Sequence, residues 1–360
     1  METIIDLNFD NNAQSFQEGA IIHNVEMQNV KTIIDKLISE AENYKKREST
    51  DILRKHNAIT ISGERGSGKT SFLMTLKESF SKKRVVVIDI IDPTLTEEKG
   101  HIFLNIVAHI KEKVDLTKDT DKELKSKWEQ TLRKLADGLP MLDGIQSSLD
   151  PADWNDSSFV MFDGLRRVSG ANNLEKLFHN YIKLSLEVLN QDAFLIMFDD
   201  VDTDFAKGWP VLETLRKYMT SPQLITLISG DLALYTMLIR KKQWANFGKE
   251  LLKNEYDKNN ESQNGDVYTD LVAKLESQYA QKVLKPENRI LLSTIASKPK
   301  NILDNIKVKI EDNTDLTLKC FYQKYFQEKF AIKEGIVQDL YMNFFLSLPI
   351  RSQISLMKTL

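Results

Sequence analysis

The sequence predicts an α/β fold, a parallel sheet between two layers of helices, followed by a helical lid and a C-terminal helical region. Three observations predict it. Short, nearly continuous apolar runs at residues 58–62, 84–91, 193–198 and 223–229 read as strands buried on both faces. Longer segments with apolar residues at helical spacing separate them, so strand and helix alternate. The first strand runs directly into Gly63-Glu64-Arg65-Gly66-Ser67-Gly68-Lys69-Thr70, after which Ser71 opens a helix.

Residues 1–29 read as an arm that approaches the core. Val30, Ile33, Ile34, Leu37, Ile38 and Ala41 sit at helical spacing and predict a helix over 30–46. The strand at 58–62 leads through the glycine loop to a helix ending near Ser79. The run 84–91 is the second strand, stopped by Asp92-Pro93, and a helix is expected from Phe103 to Val114. Residues 115–170 change character, charged at first and then punctuated by Gly, Pro and Asp, and read as an insertion or accessory hairpin. A helix over 174–190, the strand 193–198, a helix over 209–220 and the strand 223–229 complete the core, taken as 30–235. Residues 236–360 read as mostly helical. They contain a polar stretch at 253–265, a helix over 271–284 stopped by Lys285-Pro286, and a further helix over 287–296 before Pro299. The last residues lie in an apolar helical pattern without a cap, and a truncation of a longer chain is expected.

The loop from Gly63 to Thr70 is a complete G-x-x-x-x-G-K-[ST] phosphate loop, or P-loop. Its glycines let the backbone turn tightly and point N–H groups at phosphate oxygens. Lys69 places a point charge on them, and the Thr70 hydroxyl can ligate Mg²⁺. A strand before it and a helix N-terminus after it, beginning at Ser71, are the context that such an anion site needs. An accidental glycine-rich turn is the competing reading, and this context disfavours it.

Residues 194–198 end in Asp199 and Asp200. Asp199 at a strand end can hold Mg²⁺, and Asp200 beside it can orient or deprotonate an attacking water. The alternative is an acidic turn after a buried strand, and the phosphate loop upstream argues against it. Asp200 stands where many ring ATPases carry the longer Glu, so slow hydrolysis is one expected consequence. Asp202 and Asp204 read as solvated turn residues. Ser229-Gly230-Asp231 ends the fourth strand, which in a P-loop core lies between the phosphate-loop strand and the strand that ends in Asp199. Ser229 is the first candidate for a group touching the γ-phosphate or water and Asp231 the second, with a plain turn as the alternative. Arg240 follows at the spacing of an arginine acting in trans, although a solvated basic helix end fits it better. Arg289 is a candidate to reach the phosphates from the helical region, and Arg166-Arg167 is a weaker one.

Composition limits the alternatives. The 360 residues exceed one average domain, and a net charge of −3 gives no general basic footprint for nucleic acid. The single cysteine, Cys320, excludes an intrachain disulfide and fits a reducing, cytoplasmic compartment. The five histidines show no metal-ligand spacing, and no segment has the character of a signal peptide or membrane span.

Together, Gly63 to Thr70, Asp199-Asp200 and Ser229-Gly230-Asp231 resemble the ATPases of the additional-strand P-loop class, which includes the AAA+, STAND and KAP families. The run Phe198-Asp199-Asp200-Val201-Asp202 is similar to the double-Asp Walker B of KAP and STAND proteins. Thr203 departs from the Arg that KAP proteins often carry. Residues 275–283 resemble the start of the helical lid. The resemblance implies ATP and Mg²⁺ as ligands and a homo-oligomeric ring. Alternatives are a slow nucleotide-switch scaffold of STAND type or a DNA-acting ATPase. Asp89-Ile90-Ile91-Asp92-Pro93-Thr94-Leu95 with Glu97-Glu98-Lys99 resembles the ATPase subunits of the bacterial anti-phage RADAR system. That resemblance implies an adenosine deaminase partner and a defence role.

Overall fold

The computed structural model describes residues 3–7, 13–16, 22–47, 52–81, 84–95, 101–117, 121–138, 173–248, 263–299, 302–310 and 313–358. Helix α1 is Asn24–Lys45 and starts earlier than its apolar spacing suggests. Strand β2, Ala58–Ser62, is followed by α2, Lys69–Phe80, and β3, Val85–Val87. Next come α3, Ile102–Asp115, α4, Lys122–Gly138, and α5, Leu174–Val188. The core continues with β4, Ala193–Phe198, α6, Phe205–Lys217, β5, Leu224–Gly230, and α7, Leu232–Ala245. Helix α8 is Gln263–Val283, and β6 is Arg289–Leu291.

These strands form a five-stranded sheet in the order β3-β4-β5-β2-β6, parallel at every pairing. β5 therefore lies between the phosphate-loop strand and the strand bearing Asp199, as expected. Alternate residues of β4 separate the layers. Leu195 and Met197 pack with α1 and α2 through Val30, Ile34, Phe72 and Leu76. Phe194, Ile196 and Phe198 pack with α3, α5 and α6 through Phe103, Phe178 and Leu212. All six β4 residues are buried, so an apolar residue is needed at each and no amphipathic alternation appears. Emptying a site that packs on this strand, for example Phe72→Ala in α2, costs about 3–5 kcal/mol.

The chain after α7 departs from the helical expectation. The helix predicted over 287–296 is a 3₁₀ turn, Pro286–Asn288, then β6, then a second turn, Ile295–Ser297. Only three residues pair, with Thr60, Ile61 and Ser62 of β2. A run that short is compatible with either period, and the open edge of β2 decides for a strand. Further on, α9, Ile302–Asn305, precedes β7, Ile306–Ile310, and β8, Asn313–Thr317, an antiparallel pair. β1, Thr3–Asp6, from the expected arm, pairs parallel with β7. Helices α10, Leu318–Phe330, α11, Ile336–Ser347, and α12, Ile350–Lys358, cover this small sheet with a separate core around Val308, Tyr322, Phe326 and Leu346.

Most of the insertion expected at 115–170 lies outside the described residues, as do Arg166, Arg167, the Glu97-Glu98-Lys99 run and most of the polar stretch 253–265. Its described part, α4, packs on α5. Trp128 stacks on Tyr181 with centroids 6.0 Å apart, and its Nε1 donates to Ser185 Oγ at 2.8 Å.

Gly208 in α6 passes directly over the turn after β4. A Cβ there would collide with the carbonyl oxygen of Val201. Gly208→Ala is therefore expected to destabilise the fold by about 1–3 kcal/mol in urea unfolding. Gly248→Ala, whose Cβ would meet nothing within 4 Å, is expected to stay within about 0.5 kcal/mol of wild type. Equal stability of the two variants would contradict this packing.

Candidate active site

The carboxyl ends of β2, β4 and β5 converge at one edge of the sheet, the place where parallel α/β folds bind ligands. The phosphate loop leaves β2 there. Gly66 and Gly68 have φ of +86° and +94°, in the left-handed region where a side chain is strained. Lys69 is buried, and its Nζ donates to the carbonyls of Gly63 at 2.7 Å and Glu64 at 3.2 Å. The ammonium thus already sits inside the curl of the loop. Ser67 N–H closes a turn onto Glu64 O at 3.1 Å. Glu64 and Arg65 are exposed on the rim, and Thr70 is half-buried in the first turn of α2. Ser71 Oγ accepts from Gln14 N at 3.3 Å, and Thr75 Oγ1 from Phe16 N at 3.0 Å, so residues 13–16 lie along the start of that helix.

Asp199 is buried at 5 % exposure just beyond β4, and Ser229 Oγ of β5 donates to its Oδ1. Ser229 is fully buried, and its own carbonyl accepts from Tyr235 OH at 2.6 Å, which fixes the strand end. Asp200 is exposed with φ of +50°, a conformation that Asp tolerates better than most residues but which still costs about 1 kcal/mol. Its pKa is raised first by partial desolvation of the carboxyl group, although the residue as a whole is exposed. The neighbouring carboxylates of Asp199, Asp92 and Asp202 raise it further, and Lys69 opposes them. Asp200 is thereby more basic than an ordinary carboxylate.

Asp92 was not singled out in the sequence. It reaches the site because Ile91 bridges Phe198 beyond the formal end of β3. Its carboxylate is held by Thr94 N at 2.8 Å and Thr94 Oγ1 at 2.6 Å. Its position at the carboxyl end of a predicted strand was the available signal.

Other candidates are placed elsewhere. Asp231 caps α7, accepting from Ala233 N at 2.8 Å, while its N–H donates to Asp202 at 2.7 Å. Asp204 caps α6 through Ala206 N at 2.7 Å. Both follow the usual chemistry of an Asp before a helix, and Asp202 is a strut between loops. Arg240 is half-exposed and pairs with Glu276 of α8 at 2.6 Å. Arg289 donates from Nε and one terminal nitrogen to Leu284 O at 2.9 and 2.7 Å, closing the end of α8. The structure does not bring either arginine onto the loop.

The small C-terminal unit touches the loop instead. Arg351 N donates to Gly66 O at 3.0 Å, and a Cβ on Gly66 would lie 3.4 Å from Pro349 Cβ. Beside this contact is a cavity of about 210 Å³ lined by Glu64, Ser67, Leu292, Thr294, Ser297 and Ile350, among others. Ser67 Oγ is buried there without a hydrogen-bond partner among the described residues. On the other side, His23 Nε2 meets Ser67 O at 3.0 Å.

Residues 52–178 match the family model of the AAA domain. That match supports a P-loop domain of AAA type over those residues. The matched span includes β2, the loop, α2 and β3, while Asp199 and Ser229 lie beyond it. None of the curated proteins compared with the chain matches it. Among the described residues, no helix is long and apolar enough to cross a membrane.

Glu26, one turn into α1, anchors the same region. Lys298 Nζ binds its Oε1 at 2.6 Å, with side-chain exposures of 6 % and 15 %. Burial alone would raise the pKa of Glu26. The Lys298 ammonium, hydrogen-bonded to Oε1, outweighs it and holds the pKa down to about 2, while the His23 ring at 3.9 Å is beyond hydrogen-bond reach. A lowered carboxyl pKa stabilises the fold above the usual value of 4.5, and that stability is lost as pH falls toward 2. Lys298→Met is therefore expected to lower stability at pH 7 by up to about 3 kcal/mol. The gap to wild type should shrink between pH 4.5 and 2 in denaturant midpoints. A gap independent of pH would contradict the pairing.

Proposed function

We propose that this chain binds ATP with Mg²⁺ in the loop from Gly63 to Thr70 and hydrolyses it. The AAA-type P-loop domain supports nucleotide binding. The observation that carries hydrolysis is the insertion of β5 between β2 and β4, which sets Ser229 against the buried Asp199 beside the loop. The residues fit the ligand. Two left-handed glycines, a buried ammonium and an unpartnered Ser67 hydroxyl suit a polyphosphate. One carboxylate and one hydroxyl, Asp199 and Thr70, are a suitable protein share for Mg²⁺, which keeps waters and phosphate oxygens as its other ligands.

In this reading the loop amides and Lys69 hold the phosphates, and the first turn of α2 from Thr70 to Ser71 adds its N–H groups. Bound Mg²⁺ would neutralise phosphate charge. Asp200 takes the proton of a water as its oxygen attacks the γ-phosphorus, and the bond to the bridging oxygen breaks to leave ADP and phosphate. Its raised basicity suits that role. Ser229 holds Asp199 in place, and the reading keeps it as the group that would meet the water or γ-phosphate. Asp231, Arg240 and Arg289 have other bonds and drop out of the reading within one chain. An in-trans role for Arg240 would require it to leave Glu276. The cavity beside Ser67 is assigned to the nucleoside.

A second reading, a slow nucleotide switch, draws on the contact of Arg351 with Gly66 O. Through it the C-terminal unit can register the state of the loop. Ring assembly, an adenosine deaminase partner and a defence role have their support in the resemblance alone. A DNA-acting role is disfavoured by the net charge of −3.

Lys69→Ala is expected to abolish ATP binding and turnover. Asp200→Asn should keep binding and lower turnover by about 10²–10⁴. Ser229→Ala should also keep binding and turn over more slowly than wild type. Steady-state phosphate release beside equilibrium nucleotide binding checks all three. Equal turnover in wild type, Lys69→Ala and Asp200→Asn would overturn the enzyme reading.

A further inference from the structure

We infer that His23 is a positioning residue for the phosphate loop, gripping it from behind so that the Gly68 amide is aimed at phosphate. The inference rests on the ATP-binding reading and adds a residue to it.

His23 lies at the N-terminus of α1, more than forty residues from the loop in sequence, yet is 2 % exposed and meets Ser67 O at 3.0 Å. A carbonyl only accepts, so Nε2 carries the proton in this bond. In a trans peptide the carbonyl of one residue and the N–H of the next point in opposite directions. Holding Ser67 O toward His23 therefore turns Gly68 N–H to the far side. No backbone acceptor within the described residues takes that N–H, whereas Ser67 N–H is already committed to Glu64 O. Gly68 has φ of +94° and a Cβ there would meet nothing, so the conformation is imposed by the bonds around it and not by crowding.

The preceding peptide is held in the same way. Gly66 O accepts from Arg351 N, so two successive carbonyls of the loop are fixed from outside the P-loop strand and helix. His23 is itself seated. Its Nδ1 is buried without a hydrogen-bond partner among the described residues and faces Glu26 Oε1 at 3.9 Å, beyond hydrogen-bond reach. Glu26 is fixed by Lys298 in the segment that leads to the C-terminal unit. Removing the His23 donor leaves a buried carbonyl unsatisfied and frees the peptide to rotate, which penalises the phosphate-bound loop.

The test compares His23→Met, which keeps the volume and removes the donor, with His23→Gln, whose Nε2 lies the same number of bonds from Cβ. Binding of a fluorescent ATP analogue with Mg²⁺ is titrated on the full chain at a temperature where each variant is folded. His23→Met is expected to weaken binding about tenfold or more, and His23→Gln to restore it to within about threefold of wild type. In turnover KM should rise while kcat at saturation changes little. If His23→Met does not fold, His23→Asn replaces it, since its amide is one bond too short for Ser67 O. Equal affinity for wild type and the donor-less or shortened variant would overturn the inference, whatever happens to the melting temperature. So would failure of His23→Gln to exceed its comparator. Absence of binding to wild type would overturn both the ATP reading and the inference, and is distinguished by that control.

Discussion

The placement of β5 between β2 and β4 is the constraint on which the site depends. It brings the end of the strand bearing Ser229 between the phosphate loop and Asp199, and the Ser229 hydroxyl closes the gap by donating to the buried carboxylate. A carboxylate at 5 % exposure needs such a partner to remain in place. The sheet itself is held by strands buried on both faces, with α1 and α2 on one side and α3, α5 and α6 on the other. Their apolar contacts supply the rigidity, with Thr60 and Thr226 as buried polar residues inside β2 and β5.

The loop is supported from more than one direction. β2 and α2 place it, while His23 and Arg351 N take the carbonyls of Ser67 and Gly66 from outside. The Glu26–Lys298 pair joins those outside supports to each other. A phosphate site in which amides point one way must have carbonyls that point the other, and those carbonyls need donors. Here the donors come from the start of α1 and from the C-terminal unit. The loop and that unit are thereby physically linked.

Much of this was legible in the residues. The loop motif with its flanking strand and helix, and the apolar strand ending in Asp199-Asp200, depend on local patterns that sequence displays directly. Ser229 ranks ahead of Asp231 in the sequence as a group for the γ-phosphate or water; the structure bonds Ser229 to Asp199 and makes Asp231 the cap of α7, as a strand-end residue differs from an Asp poised to cap a helix. β6 was missed because three residues carry no period and their pairing with β2 is a long-range contact. The pairing of β1 with β7 was missed for the same reason, since Thr3–Asp6 is distant in sequence from Ile306, whereas the β7–β8 hairpin is local and the alternation of Ile306, Val308 and Ile310 was a legible signal. His23, Asp92 and Arg351 act through positions fixed by tertiary folding, and no local pattern marks them.

The most direct measurement is an experimental structure of the chain with Mg²⁺ and a non-hydrolysable ATP analogue. The expected result has the phosphates within hydrogen-bond distance of the loop amides and Lys69 Nζ turned from Gly63 O to phosphate oxygen. Mg²⁺ should lie at Thr70 with Asp199 next to it, and Asp200 should face the γ-phosphate. A nucleotide bound away from Gly63–Thr70, or a γ-phosphate remote from both Asp200 and Ser229, would contradict the account.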